Sequence, residues 1–303
     1  MKISIIGAGK VGVAVAVQLL ARGVARGLVL MSRDERRAQG EAMDLAHAQA
    51  LHPSPARIRA GGVEATAGSG ILVVCASAEL EPGKVSRLSL GPANTRMLEK
   101  LLPDLLERSP EAMVLMVSNP VDVLTWQALR ISGLPASRVF GTGTLLDSAR
   151  FRRVLSDELA IHPDDLRAYI LGEHGESQFP AMSMAMAGAE RIDDTPQRRE
   201  WFRETVDVGL EIFRRKGHTS HGIAAATAAV VQSIVQDEKR TMPLSVRVDG
   251  FCGVEGVCLS LPVVVGAGGI ERVLCPALNE EECAAFRHSA AVVRGAIDGC
   301  GAE

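Results

Sequence analysis

The chain reads as an α/β protein: a parallel sheet covered on both faces by helices, followed by a mixed α+β region. Three observations predict this. Through the first half, short continuously apolar runs alternate with helix-compatible stretches. A glycine-rich segment joins the first apolar run directly to the first helical one. The second half loses that alternation and mixes long helical segments with two extended ones. Strands that are apolar along their whole length have no solvent face, which is the pattern of a parallel sheet between two helix layers.

Taken in order, Lys2–Ile6 forms the first strand, and Val11–Ala21, apolar at helical spacing, the first helix. Leu28–Met31 is the second strand, and the polar stretch Asp34–Ala50 is helix-compatible. Ile71–Cys75 and Ala112–Val117 are two further strands, with a helix over Asn94–Glu107 between them. Val139–Phe140 is a shorter apolar stretch that ends before Gly141. Beyond it, helices are predicted near Ser148–Leu159, over Gln197–Lys216 and over Gly222–Gln236. Leu244–Val248 and Val257–Val265 are strand-like, and a charged helix over Asn279–Ala296 closes the chain. At 303 residues the chain suits two fused domains rather than one small core. The division falls near Gly141–Thr144, into residues 1–143 and 144–303.

Composition narrows the function classes. Hydrophobic residues at 47% and charged residues at 23% are ordinary for a soluble globular protein. With 33 basic and 36 acidic residues, the net charge of −3 gives no support to a nucleic-acid or anionic-membrane partner. The six cysteines include no C-x-x-C pair, so neither a zinc site nor a redox dithiol is indicated, and free thiols fit a reducing compartment. No signal peptide precedes the first strand, and no apolar run reaches membrane-spanning length. A cytoplasmic protein without a metal is expected.

Gly7-Ala8-Gly9-Lys10-Val11-Gly12 follows a strand and opens a helix, the context a dinucleotide fingerprint requires. Gly7 permits the tight turn, Gly9 lets the backbone approach a pyrophosphate, and Gly12 allows close helix–strand packing. Lys10 and Val11 begin the helix, whose N-terminal amides and positive dipole end face the phosphates. Residues 1–143 are therefore expected to form a Rossmann-type dinucleotide-binding domain. An NAD-binding domain usually carries Asp or Glu at the end of the second strand, about 20 residues past the fingerprint. Here Ser32 and Arg33 stand at that place. A small hydroxyl and a guanidinium would accept a 2′-phosphate that an acid would repel, so NADP is favoured. Asp34 is the alternative anchor, for NAD, if the strand ends one or two residues later.

Gly141-Thr142-Gly143-Thr144-Leu145-Leu146-Asp147-Ser148-Ala149-Arg150 runs into a helix, and Gly172-Glu173-His174-Gly175-Glu176-Ser177 lies on a loop downstream. Met43-Asp44-Leu45-Ala46-His47, Ser118-Asn119-Pro120-Val121-Asp122 and Lys216-Gly217-His218-Thr219-Ser220 stand around them. With these motifs in this order, nearly the whole chain resembles the L-lactate/malate dehydrogenase family, closest in Gly141–Arg150 to the lactate and hydroxyisocaproate branch. The resemblance implies hydride transfer between a nicotinamide cofactor and a 2-keto or 2-hydroxy acid. Reducing a keto acid takes a hydride to carbon and a proton to oxygen. His174 can donate the proton, because histidine titrates near working pH. Asp147 would hold the ring tautomer and favour the charged ring. Arg150 has the planar fork that grips a carboxylate. The resemblance places Asn119 beside the nicotinamide ribose and the substrate, and Ser77 where the family's cofactor-side loop usually has glycine.

The same resemblance assigns Arg87 as the arginine that closes over the substrate and polarises its carbonyl, although the loop is one residue longer than usual before it. Leu80 takes the place of the residue that reads the substrate side chain. Malate enzymes have Arg there and lactate enzymes typically Gln, so Leu80 points to an apolar or compact substrate other than malate. Thr219 and Ile223 should line the same pocket. Lys84, in the inserted stretch, could supply the missing cation, so a doubly acidic keto acid resembling oxaloacetate or phosphonopyruvate is the alternative. A non-catalytic dinucleotide sensor is a further one, opposed by the joint presence of His174, Asp147, Arg150 and Arg87. Arg152 and Arg167 fall where allosteric members of the family bind a sugar bisphosphate, and the family's usual assembly implies a homodimer or homotetramer.

Overall fold

The computed structural model describes residues 1–52, 55–78 and 90–300. Its frame is a sheet that begins with six parallel strands. These are β1 (Lys2–Ile6), β2 (Gly27–Met31), β3 (Arg57–Ala60), β4 (Ile71–Val74), β5 (Met113–Met116) and β6 (Val139–Gly141). They lie in the order β3-β2-β1-β4-β5-β6, so the chain winds outward from β1 in one direction and then from β4 in the other. This is the doubly wound arrangement whose ligand crevice lies where the order reverses, between β1 and β4. β4 is buried at every position, as its uninterrupted apolar run requires.

Helices cover both faces. On one side α1 (Lys10–Ala21) and α2 (Glu35–Gln49) pack through Val15, Ala16, Leu19, Ala38 and Ala42. On the other, α3 (Gly91–Arg108) and α4 (Val121–Ser132) contribute Leu98, Leu102, Leu105 and Leu124. The sequence reading did not identify α4, whose nearly continuous apolar start lacks a polar face.

The chain then enters α5 (Leu145–Leu159), three residues earlier than predicted, so that Asp147 and Arg150 both lie within the helix. Short strands follow: β7 (Leu166–Arg167), β8 (Ile170–Leu171), β9 (Phe179–Pro180), β10 (Met186–Ala187) and β11 (Glu190–Arg191). At two residues each they carry no readable periodicity. α6 (Pro196–Lys216) is capped by the Thr195 hydroxyl at its start and by Gly217, at φ +75°, at its end. α6 packs on α5 through Phe202, whose ring meets Phe151 edge to face at 6.1 Å. α7 (His221–Gln236) and α8 (Glu280–Cys300) complete the helices. Asn279 and Glu282 exchange hydrogen bonds at the start of α8, each side chain accepting from the other's backbone N–H.

The C-terminal strands β12 (Arg240–Asp249), β13 (Glu255–Gly266) and β14 (Gly269–Val273) do not build a separate layer. β12 pairs antiparallel with β6 through Ser245 and Gly141, extending the parallel sheet to nine strands among the described residues. Gly141 has no room for a side chain: a Cβ there would lie 2.5 Å from the Thr125 hydroxyl.

Two glycines separate packing from propensity. A Cβ on Gly12 would sit 2.1 Å from the Gly7 carbonyl oxygen, whereas Gly40, inside α2, has open space around it. In urea unfolding, Gly12→Ala should destabilise the protein by about 1–3 kcal/mol through overpacking. Gly40→Ala should stabilise it by about 0.5–1 kcal/mol through helix propensity. Equal effects at the two sites would contradict the packing assigned to α1.

Candidate active site

The glycine segment between β1 and α1 has the shape of a phosphate cradle. Gly7 adopts φ +103°, and a Cβ on it would lie 2.5 Å from the Ala76 backbone nitrogen. Gly9 faces open space, with no atom within 4 Å of the position its Cβ would take. The turn is thus closed on two sides by the protein's own backbone and open at its middle glycine, which fits a bound pyrophosphate. No side chain caps the start of α1 at Lys10 and Val11, and no acid occupies its first turn, leaving the positive end of the helix to an anion.

The end of β2 is pinned to this cradle. Gly7 and Ala8 donate backbone N–H groups to the Met31 carbonyl at 2.8 and 3.0 Å. Ser32 is the next residue, and Arg33 beyond it is exposed. Asp34 is engaged elsewhere: its carboxylate accepts the Arg37 N–H at 3.0 Å and caps α2. Past β4, the exposed Ser77 accepts a hydrogen bond from buried Asn94 at 3.3 Å. Asn94 also accepts the Ala78 N–H and donates to the Asn119 carbonyl, so it joins the loop after β4 to the loop after β5.

A cavity of about 670 Å³ opens between α4, α5, α6, α8 and the loop after β8. Asn119, Asp147, Arg150 and His174 all line it. The Asp147 carboxylate accepts from His174 Nδ1 at 2.6 Å and from Arg150 Nη1 at 3.2 Å. Asp147 is only 4% exposed and His174 14%, so the pair is shielded from bulk screening while the ring keeps an edge in the cavity. Asp147 also lies in the first turn of α5, where the helix dipole favours a negative charge. The chain order explains the meeting. Gly172, at φ +88°, turns the chain out of β8 and into the loop that carries His174. β8 itself is held against the start of α5 by the Thr144 hydroxyl on the Ile170 carbonyl at 2.5 Å, and by the Ile170 N–H on the Ser148 hydroxyl at 2.9 Å.

Several buried polar residues around this site were not singled out from sequence. Asp122, in the first turn of α4, accepts the backbone N–H of His174 at 2.7 Å. Burial pushes its carboxyl up to about 6, against the opposing effects of Ser245 and of the His174 amide and charge. The signal was a lone acid in the apolar run Val121–Leu124. Glu173, also buried, accepts from Ser177 and shapes the His174 loop.

The remaining expected residues fall elsewhere. Leu80, Lys84 and Arg87 lie outside the described residues. Thr219 and Ile223 stand at the start of α7, against the start of α5, and are not among the residues that line the cavity. Arg152 is mostly buried, and burial lowers its pKa, with Arg167 and Arg240 adding to that effect and Tyr169 and Asp164 opposing it. Arg167 donates to the Asp164 carbonyl at 2.7 Å. Among the described residues, no helix is long and apolar enough to cross a membrane.

Comparison with known proteins agrees with this geometry. Residues 1–141 match the lactate/malate dehydrogenase NAD binding domain, and residues 144–303 match the lactate/malate dehydrogenase alpha/beta C-terminal domain. An L-lactate dehydrogenase of Synechococcus sp. is 40% identical over 98% of this chain and 99% of its own length. One from Moorella thermoacetica is 41% identical over 98% and 96%. The crystal structure of a lactate dehydrogenase enzyme from a Medee basin deep-sea metagenome library superposes with a TM-score of 0.94. It is 33% identical and covers 99% of this chain and 98% of its own. A glycine cradle after β1 and a His–Asp–Arg cavity, on a chain matched along both halves, make this protein a member of the lactate/malate dehydrogenase family and a nicotinamide-dependent hydroxy acid dehydrogenase.

Proposed function

We propose that the protein interconverts a 2-keto acid other than oxaloacetate with its 2-hydroxy acid, using NADP in preference to NAD. The observation that carries the reaction is the His174–Asp147 hydrogen bond of 2.6 Å within a cavity that Arg150 also lines. In this reading residues 1–143 hold the dinucleotide and residues 144–303 supply most of the substrate site. The nicotinamide group, when bound, supplies the hydride.

The protein's own residues account for the proton and the orientation. Asp147 accepts the Nδ1 proton of His174, which leaves Nε2 as the atom that gives a proton to the carbonyl oxygen in reduction or takes it from the hydroxyl in oxidation. The buried Asp147 carboxylate thereby also fixes the orientation of the ring. Arg150 presents its planar fork to the substrate carboxylate and fixes which face of the carbonyl is offered. Asn119, at the junction of cradle and cavity, contacts the nicotinamide ribose side. Arg87 supplies the closing cation over the carbonyl, and Leu80 selects an apolar or compact substrate side chain. Thr219 and Ile223 complete the pocket, as the family resemblance implies.

Support for NADP comes from the end of β2. The strand ends at Met31, so Ser32 is the residue delivered to the cradle, and the acid two positions on is occupied as a helix cap. Ser32 and Arg33 would take a 2′-phosphate without an opposing carboxylate. The protein further works as a homodimer or homotetramer. Exposed Val208, Leu210 and Phe213 on α6 and Met43 on α2 offer apolar surface that a second copy would cover. A cytoplasmic location suits its free cysteines.

Steady-state oxidation of NADPH and NADH with pyruvate, branched 2-keto acids, oxaloacetate and phosphonopyruvate tests the reading directly. Highest kcat/KM is expected for NADPH with a monoacidic keto acid; preference for oxaloacetate or phosphonopyruvate would shift the side-chain reader from Leu80 to Lys84. Replacing the proton donor, His174→Ala should lower kcat by about 10²–10⁴-fold while dinucleotide affinity, followed by fluorescence, stays nearly unchanged. Retained turnover would refute the donor assignment. Ser32→Asp should lower the NADPH/NADH ratio of kcat/KM by about 10-fold or more, the worth of a charge-assisted contact. A constant ratio would remove Ser32 from cofactor choice.

A further inference from the structure

We propose that Cys252 and Cys283 are a modification site: their thiols join in a reversible disulfide when the protein meets a small-molecule disulfide, which fastens the turn between β12 and β13 to α8. The proposal is independent of the reaction assigned above.

Packing brings the two thiols together. The turn Phe251–Gly253 lies against the first half of α8. The Phe251 ring meets Phe286 edge to face at 5.2 Å, and Arg287 Nη1 donates to the Cys252 carbonyl at 3.5 Å. Cys283 stands one helical turn before Phe286 and Arg287, so it presents its side chain on the same face. The Cys252 and Cys283 thiols are hydrogen-bonded to one another. Cys252 holds φ +50°, between Gly250 at +82° and Gly253 at +75°. A side chain in this left-handed region is strained where a further glycine would not be. The position nevertheless carries a thiol and sets it against α8.

The surroundings suit cross-linking better than an inert core role. Both cysteines are half-buried and open to a small reagent, whereas Cys258 is fully enclosed. Exposed Cys275 lies near the pair. Among the described residues no cluster of His, Cys, Asp and Glu has metal-holding geometry, so the chemistry these thiols offer is their own. Burial first, then Cys283 and Cys275, push the Cys252 thiol up to about 12, and Arg287 opposes them. Cys252 is thus kept protonated at neutral pH, and Cys283 is the sulfur that attacks first.

The exchange runs between two disulfides. Cys283 Sγ, as thiolate, attacks one sulfur of the small disulfide, whose S–S bond breaks to release one small thiolate. Cys252 then gives its proton to solvent and its Sγ attacks Cys283 Sγ, releasing the second small thiolate and forming the protein disulfide. The two cysteines are oxidised, the small disulfide is reduced to two thiols, and the two protons pass to them through solvent. The cross-link anchors the start of α8, the helix whose Ser289 hydroxyl holds the Ser177 carbonyl at 2.6 Å on the loop of His174.

The test treats the whole protein with oxidised glutathione and reads intact mass and unreduced peptide maps. Expected is the loss of two hydrogens and one cross-linked peptide pair holding Cys252 and Cys283, returned to free thiols by dithiothreitol. The thermal midpoint of the cross-linked protein should lie about 5 °C above that of the reduced one. Cys283→Ser should abolish both the cross-link and the shift. Cys252→Gly should do the same, and its fit to the left-handed backbone keeps the test open if Cys283→Ser misfolds. Cys275→Ser should leave both effects in place. A cross-link through Cys275, glutathione adducts alone, thiols that stay free, or an unshifted midpoint in the cross-linked protein would overturn the proposal.

Discussion

The site depends on a buried seam at the start of α5. Thr144 and Ser148 bind the backbone of Ile170, while Thr144 N–H donates to the Ser260 hydroxyl and Ser260 N–H donates to the Gly172 carbonyl. Three distant segments, the end of β6, β8 and β13, are thereby held at one place. Asp147 lies one turn into the helix on one side of that seam, and His174 two residues beyond Gly172 on the other. Their 2.6 Å contact is a consequence of backbone hydrogen bonding already satisfied beneath them. Gly143 shows how tight the seam is, since a Cβ there would lie 2.4 Å from the Ser260 hydroxyl. A hydrogen-bonded pair built this way keeps its geometry without ordering energy from a ligand.

Continuity of the sheet links this seam to the dinucleotide cradle. β6 ends at Gly141 and pairs across to Ser245, so the strands that carry the cradle and the strands behind the cavity belong to one rigid ladder. The cradle lies where strand order reverses at β1 and β4, and Asn94 ties the loop after β4 to the loop after β5, whose Asn119 lines the cavity. Hydride transfer tolerates little misplacement between donor and acceptor carbons. A single sheet spanning both sites is a direct structural means of limiting it.

How legible this was depended on the range of the interactions. Five of the six parallel strands, all but β3, and every helix but α4 follow from local apolar spacing, and Asp34 and Ala50 bound α2 as its sequence suggests. The fingerprint glycines were readable because each answers a backbone need within a few residues: positive φ at Gly7, a contact at Gly12. His174, Asp147 and Arg150 were recognised only as a joint pattern, since each alone is an ordinary residue. What local reading could not show was anything set by distant partners. β3, with its exposed alternate residues, and the two-residue strands β7 to β11 owe their form to neighbours far along the chain. The merging of β12 with β6 depends on one residue pair, Ser245 and Gly141, separated in the chain by α5, α6 and α7. Asp122 was within a quoted motif, yet its partner is a backbone N–H on another loop, which no residue identity announces.

Asp122 also shows what a buried carboxylate costs the fold. Its carboxyl ionises at about 6 rather than the ordinary 3.8, because burial opposes the charge more than its neighbours support it. An acid whose folded pKa is raised favours the fold while protonated, below its unfolded value, and loses that contribution as pH rises through the folded value. The loss therefore falls between about pH 4 and pH 6, and at neutral pH the fold bears a penalty of up to about 3 kcal/mol from this one group. Such a penalty is a sizeable part of a typical folding free energy. It is sustained by the sheet and by the two helix layers on either side of it. An apolar residue at this position would remove that penalty but leave the His174 backbone N–H without its acceptor, so the carboxylate is retained for the loop it ties to α4.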